Sequence, residues 1–167
     1  AYGYGDIEYP LFPDLGFDKY ESFMLRNSGN DWGVTMFRDG FMTGLMEDED
    51  IDIQAFRPTV VYINGEYWGI HNMRERLTDR YVEAHYGFSP DSIDLLELDG
   101  YASAGDAVHY TNMITFIQTH PLVLQQNYDY IKTQMDVAEF IDYEVTQIFL
   151  NNTDWPGNNI KYWRPRT

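Results

Sequence analysis

The sequence predicts an α+β fold, because strand signals gather in residues 1–75 and helix signals in residues 76–167 instead of alternating along the chain. Two local patterns anchor that reading. Asn64-Gly65 separates two runs of strand-forming residues and supplies both positive-φ positions of a type I′ hairpin turn. Asp136, followed three residues later by Glu139, forms a capping box ahead of Val137, Phe140, Ile141, Val145, Ile148 and Phe149, which recur at helical spacing.

Taken in order, residues 1–19 are rich in Gly, Pro and Asp with scattered aromatics. They read as an irregular arm lying on the domain, its partner surface C-terminal or outside the sequence. Residues 20–26 alternate, with Phe23 and Leu25 on one face and Met24 and Arg26 on the other, the period of a half-buried strand. The polar loop Asn27-Ser28-Gly29-Asn30-Asp31 ends it. Over 33–48, Val34, Phe37, Phe41 and Leu45 predict a long helix with one apolar stripe toward a core, while Gly40 and Gly44 lower propensity but allow close packing. The hairpin pairs 58–63 with 66–72, and its aromatics Tyr67 and Trp68 are expected in the core. A helix from Thr78 stops at Gly87, which can turn left-handed after the last turn. Residues 93–98 predict a strand, 106–119 a helix halted near Pro121, and 123–133 a further helix. The Asp136 helix then leads through Asn151-Asn152-Thr153-Asp154 to a strand over 160–163.

With 167 residues the chain suffices for one domain, or part of a larger one, and is small for a complete two-lobed enzyme with a core in each lobe. Hydrophobic residues make up 44% and aromatics 17%, enough side-chain volume to fold. The net charge of −16 argues against nucleic acid, whose binding depends on Lys and Arg, and favours a cationic partner or a metal ion. The absence of cysteine excludes disulfides, a thiolate nucleophile and Cys-type zinc sites. No apolar run of about 18 residues is present, so no transmembrane segment is expected. Ala1-Tyr2-Gly3-Tyr4-Gly5 has neither an initiator Met nor signal-peptide character, which implies processing or truncation.

A buried helix, a polar loop holding Asp154 and Asn159 five residues apart, then a strand, is the layout of a kinase catalytic loop, H-R-D-x-x-x-x-N, and the Asp136 helix is expected to be that buried helix. There the carboxylate takes or orients the proton of the attacking hydroxyl, and the amide oxygen holds a Mg²⁺ that neutralises phosphate charge. Spacing alone does not separate this from a loop carboxylate capping the turn before Pro156. Arg26 either stands where a phosphate-binding cation would, with Glu47 or Asp39 as its partner, or makes an ordinary ion pair. Arg74 and Glu75 either border a nucleotide as a hinge or fasten strand to helix. The carboxylates of 47–52 lack the EF-hand pattern and read as a solvated acidic loop. His71, His85, His109 and His120 have no zinc-ligand spacing. A hydrolase with paired carboxylates would need a second acid placed opposite Asp154, and the sequence identifies none.

Three stretches carry a resemblance. Leu25-Arg26-Asn27-Ser28-Gly29-Asn30-Asp31-Trp32, Tyr62-Ile63-Asn64-Gly65-Glu66-Tyr67-Trp68-Gly69-Ile70-His71-Asn72-Met73-Arg74-Glu75 and Asn152-Thr153-Asp154-Trp155-Pro156-Gly157-Asn158-Asn159-Ile160-Lys161 together resemble the CotH protein family, in order and across almost the whole chain. The resemblance implies an atypical protein kinase that moves phosphate from ATP, with Mg²⁺, to Ser or Thr of a partner protein of the spore coat or cell surface. The location is then extracytoplasmic. It matches Asp154 to the catalytic aspartate and Asn159 to the metal-side asparagine. It also implies a protein-kinase-like fold of which this chain is an incomplete, central portion, residues 1–75 resembling the N-lobe and 76–167 the C-lobe as far as the catalytic loop and following strand. The phosphate-anchoring Lys and glycine-rich cover are then expected upstream of Ala1 and the second metal-binding Asp beyond Thr167, so the isolated chain is expected to be inactive alone. The alternative within the same resemblance is a non-catalytic surface adhesion or binding module.

Overall fold

The chain divides into two units, Ala1–Gly87 and Phe88–Thr167, and the computed structural model describes residues 5–166 of it. In the first unit β1 (Ile7–Glu8) pairs antiparallel with β2 (Lys19–Tyr20). A three-stranded antiparallel sheet follows, made of β3 (Met24–Arg26), β4 (Phe56–Ile63) and β5 (Glu66–Arg74) in the order β3-β5-β4. Helices α1 (Arg38–Gly44) and α2 (Asp79–Tyr86) complete the unit. The hairpin turns as its sequence dictates: Asn64 and Gly65 take φ of 53° and 84°, and Ile63 faces Glu66. Gly87 caps α2 at φ 75°, its N–H bonded to the Glu83 carbonyl.

Several expectations for this unit are corrected. Ala1 to Tyr4 of the expected arm lie outside the described residues; the rest is no arm on a surface elsewhere. Leu11 and Phe12 are buried with Tyr20 and Met73 as the core of the unit, ringed by Ile7, Leu15, Phe17, Phe23 and Ala55. Apolar side chains spaced irregularly carry no period, yet they bury as well as periodic ones once a backbone tie such as Arg57 Nη1 to the Leu11 carbonyl (3.0 Å) holds them in place. The strand expected over 20–26 is broken at Glu21–Phe23, and its two ends join different sheets.

The helix expected over 33–48 shrinks to α1. Asp31 is the reason: its buried carboxylate accepts from the Thr35 hydroxyl (2.5 Å) and from the N–H groups of Thr35 (3.3 Å) and Arg38 (3.0 Å). These bonds hold 32–36 in turns, and Met36 takes φ 65°, so helical geometry starts only at Arg38. The stripe Val34, Phe37, Phe41 and Leu45 is exposed, not in a core. Instead α1 approaches β4 through Gly40, where a Cβ would stand 2.5 Å from the Phe56 ring. Tyr67 and Trp68 are likewise exposed, at 61% and 62%. β3 covers only Asn72 to Arg74 of β5, which leaves the distal hairpin a two-stranded ribbon.

In the second unit β6 (Ile93–Glu97), β7 (Tyr101–Ala104) and β8 (Lys161–Pro165) form an antiparallel sheet in the order β7-β6-β8, with helices α3 (Val108–Thr119), α4 (Gln125–Lys132) and α5 (Val137–Phe149). β6 is the central strand, and Ile93, Leu95 and Leu96 are buried. β7 was not expected, since Tyr101-Ala102-Ser103-Ala104 has no apolar alternation; pairing with β6 makes it a strand. The Asp136 cap forms, its carboxylate accepting from the N–H groups of Ala138 (3.0 Å) and Glu139 (3.2 Å). The helix it starts is not buried, however. Phe140, Ile141, Val145, Ile148 and Phe149 are exposed and Thr146 is its buried residue. Periodicity decides which residues share a face and leaves open what lies against that face.

The division after Gly87 keeps α2 with the hairpin, whereas sequence composition changes after Glu75. Side chains account for the difference: the Tyr81 hydroxyl donates to the Ile53 carbonyl (2.9 Å), and His85 Nε2 lies 2.9 Å from Glu75 Oε1. Among the described residues no helix is long and apolar enough to cross a membrane.

Candidate active site

The loop between α5 and β8 is built by local hydrogen bonds. Asn151 leaves the helix at φ 50°, and Asn152 turns back onto Gln147, N–H to carbonyl at 3.0 Å and Nδ2 to Oε1 at 2.7 Å. Asn152 Oδ1 then accepts from the Asp154 N–H at 3.1 Å, an Asx turn that sets the direction of the carboxylate. Asp154 Oδ2 accepts from Asn158 Nδ2 (3.0 Å) and Asn159 Nδ2 (2.8 Å). Asn159 closes the loop in the left-handed region, φ 56°, which asparagine tolerates better than most residues. β8 begins two residues later and is registered along the whole of β6. The loop thus folds the five-residue spacing into direct contact between Asp154 and Asn159, both exposed. With Nδ2 of Asn159 engaged, its Oδ1 is the atom left to meet a hard cation.

In the first unit, the register of β3 on β5 sets Arg26 opposite Asn72, so Arg26 and Arg74 share a sheet face. Both reach Asp39 on α1. Arg26 Nη1 lies 2.9 Å from Asp39 Oδ2, and Arg74 Nη1 bonds the same oxygen. Arg74 Nη2 donates to Thr43 Oγ1 at 3.3 Å. The two arginines differ in setting: the Arg26 side chain is about half exposed, whereas Arg74 is buried, with its Cζ 5.9 Å from the centre of the Phe56 ring. Burial pulls the Arg74 guanidinium below its usual pKa, Asp39 opposes that shift and the nearby Arg26 adds to it. Glu75, also buried, has both carboxylate oxygens committed to protein groups, Oε1 to His85 and Oε2 to the Ala55 N–H at 3.0 Å. That geometry fastens β5 to α2.

Of the residues singled out in the sequence, Asp154 and Asn159 come together in one unit, and Arg26 and Arg74 in the other. Asp39, one of the two partners considered for Arg26, is the one observed. Three organising residues escaped sequence reasoning. Asp31 holds the loop after β3. Asn72 donates from Nδ2 to Ser28 Oγ and to the Met36 carbonyl, both at 2.9 Å, and pins that loop to the sheet. Asp94, almost wholly buried, bonds Arg164 Nη2 (2.9 Å), Arg166 Nε (2.7 Å) and the Asp106 N–H (2.9 Å). A signal for Asp94 was present: one carboxylate inside the apolar run Ile93-Asp94-Leu95-Leu96 requires a buried partner, and Arg164 and Arg166 are spaced to supply it. Among the described residues no three His, Cys, Asp or Glu side chains converge as a metal site.

Compared with known proteins, the chain matches the family model described as CotH kinase protein over residues 7–167. No curated protein and no solved structure matches it. A match across nearly the full length, including the loop that joins Asp154 to Asn159, shows that the chain belongs to the CotH kinase protein family.

Proposed function

We propose that the chain carries the catalytic loop of a kinase-like domain that transfers the γ-phosphoryl group of ATP to a Ser or Thr hydroxyl of a partner protein, at the spore coat or cell surface. The observation that carries this reading is the contact of Asp154 with Asn159 on the loop leaving α5, in a chain of the CotH kinase family. Asp154 takes the hydroxyl proton as the oxygen attacks phosphorus and the bond to the ADP oxygen breaks. Asn158 and Asn159 hold the carboxylate in place by donating to Oδ2, which leaves Oδ1 for the substrate hydroxyl.

The donor set suits Mg²⁺ brought in with the nucleotide. The Asn159 amide oxygen is a hard ligand, too little for a protein-only cage but suited to an ion whose shell phosphates and waters complete. When bound at Asn159 Oδ1, the ion would neutralise phosphate charge. In the first unit, Arg26 is the side chain proposed to face phosphate: it is half exposed and already oriented by Asp39. Arg74 anchors Asp39 from beneath, and Glu75 serves the frame.

Asp154→Asn, made in the product of the complete gene, is expected to lower Mg²⁺-dependent phosphate transfer from radiolabelled ATP at least about a hundredfold. Equal rates for the two proteins would remove Asp154 from the catalytic role. Arg26→Ala is expected to raise the KM for ATP roughly tenfold with little change in thermal stability, since charge-assisted bonds to phosphate are strong and an exposed ion pair stabilises little. The exposed aromatics of the distal hairpin favour a second reading, a non-catalytic binding module. Calorimetry separates the two: a complete protein that binds a coat or surface protein and takes up no ATP supports the module.

A further inference from the structure

Asp154 is held at two ends. Its Oδ2 accepts from Asn158 and Asn159, and its N–H donates to Asn152 Oδ1 at 3.1 Å. The second tie holds only while the Asn152 amide presents its oxygen to that N–H. Turned over about the Cβ–Cγ bond, the same amide would set its NH₂ group against the N–H, donor against donor. Asn152 is exposed, so water can satisfy either end of the turned amide and opposes the turn little. Gln147 opposes it directly. It stands on the last turn of α5, outside the loop, and its Oε1 accepts from Asn152 Nδ2 at 2.7 Å. An acceptor at that place selects the nitrogen end of the amide and leaves the oxygen end to face Asp154.

Gln147 is itself placed by the helix. It follows Thr146, the buried residue of α5, and its carbonyl accepts from the Asn152 N–H at 3.0 Å, which brings the two side chains together. A line of contacts therefore runs from the helix through two amides to the Asp154 N–H, while Asn158 and Asn159 fix the carboxylate from the far side of the loop. A glutamine at a helix end is otherwise a surface residue that water serves equally well. We propose that Gln147 is a positioning residue for phosphate transfer, acting through Asn152 by fixing which end of its amide faces Asp154. The proposal rests on Asp154 as the group that takes the hydroxyl proton. The role asked of Gln147 involves no contact with nucleotide or metal. Its effect falls on the alignment of Asp154 Oδ1 with the attacking hydroxyl, where a displacement of about 1 Å can cost as much as a hundredfold in rate.

The test uses the product of the complete gene. Gln147→Met keeps the length of the side chain and removes the acceptor, Gln147→Glu keeps an acceptor, and Asn152→Ala removes both contacts. In Mg²⁺-dependent transfer from radiolabelled ATP, Gln147→Met is expected to lower kcat about fivefold, the scale of one hydrogen bond between neutral groups. The KM for ATP and the melting temperature should stay as in the wild type, whereas a merely structural role would move one or both. Gln147→Glu is expected to keep kcat within about twofold, since a carboxylate accepts from Asn152 Nδ2 at least as well. Asn152→Ala is expected to lose about twentyfold, and the double variant Gln147→Met/Asn152→Ala no more than that, because Gln147 has no effect once the amide it orients is gone. Hydrogen exchange at the Asp154 amide, read by mass spectrometry of overlapping peptides, should quicken at least about threefold in Gln147→Met and not in Gln147→Glu. A full-rate Gln147→Met, a loss that Gln147→Glu shares, losses that multiply in the double variant, or unchanged exchange in Gln147→Met overturns the proposal. A much slower Asp154→Asn then leaves the catalytic reading standing. If the wild type transfers no phosphate, or Asp154→Asn matches it, the catalytic reading fails and the proposal fails with it.

Discussion

Asp39→Ala is expected to destabilise the first unit by roughly 3 kcal/mol, whereas Arg26→Ala costs about 1 kcal/mol or less, although both remove the same ion pair. The asymmetry comes from Arg74. Its guanidinium is buried beside Phe56, and Asp39 is the carboxylate that compensates it. Without Asp39 the buried cation keeps, among the described residues, a hydrogen bond to the Thr43 hydroxyl and the weaker attraction of Glu75, and breaking a buried pair by removing one partner is costly. The figure sits at the low end of the usual range because Asp39 is half exposed, so water can replace part of what is lost. Arg26 can turn into solvent at little cost. Urea unfolding of the two variants measures the difference. The double variant Asp39→Ala/Arg74→Met should recover much of the loss, because the orphaned charge is gone. Equal, small effects for Asp39→Ala and Arg26→Ala would show that Arg74 does not depend on Asp39.

Asp94→Ala is expected to destabilise the second unit by about 3 kcal/mol, since it strips a buried carboxylate from two arginines and a backbone N–H at once. The same site predicts a pH dependence. Burial alone would raise the pKa of Asp94, but the Asp106 N–H and then Arg166 and Arg164 outweigh it and hold the carboxyl below its usual range. A carboxylate with a depressed folded pKa adds stability that is fully present above its unfolded value, near 4, and is lost as the pH falls through the folded value. Thermal melts should therefore show the wild type losing stability on acidification below about pH 4, with a shallower loss in Asp94→Ala. Parallel pH profiles for the two proteins would refute the linkage. Gly105 is tied to this site: at φ 69°, an added Cβ would meet Asp94, Arg166 and the Ile93 carbonyl, so no larger residue fits beside the pair.

Much of the candidate site was legible because it is local. The Asp154 and Asn159 spacing, the Asn152 turn before it and the Asp136 cap that starts α5 all act within a few residues of one another, and sequence distance is then close to spatial distance. The readings that failed were about what lies opposite a residue. The stripe of Val34, Phe37, Phe41 and Leu45 has the helical period, but Asp31 shortens the helix, and the polar and glycine face of α1 turns to the sheet. Tyr67 and Trp68 have strand propensity, but only the base of their hairpin gains a third strand.

By itself, the sequence determined the type I′ turn at Asn64-Gly65, the Gly87 stop, the Asp136 cap, the family, and the loop that joins Asp154 to Asn159. Each depends on backbone conformations and hydrogen bonds spanning a few residues, for which residue identity suffices. Only the tertiary structure decided that Arg26 and Arg74 meet on Asp39, that Arg164 and Arg166 close on Asp94, and that Tyr67 and Trp68 stand in solvent. Those pairings depend on strand register and on which face each element turns to its neighbour, and residues far apart in the chain acquire such neighbours only when the sheets form.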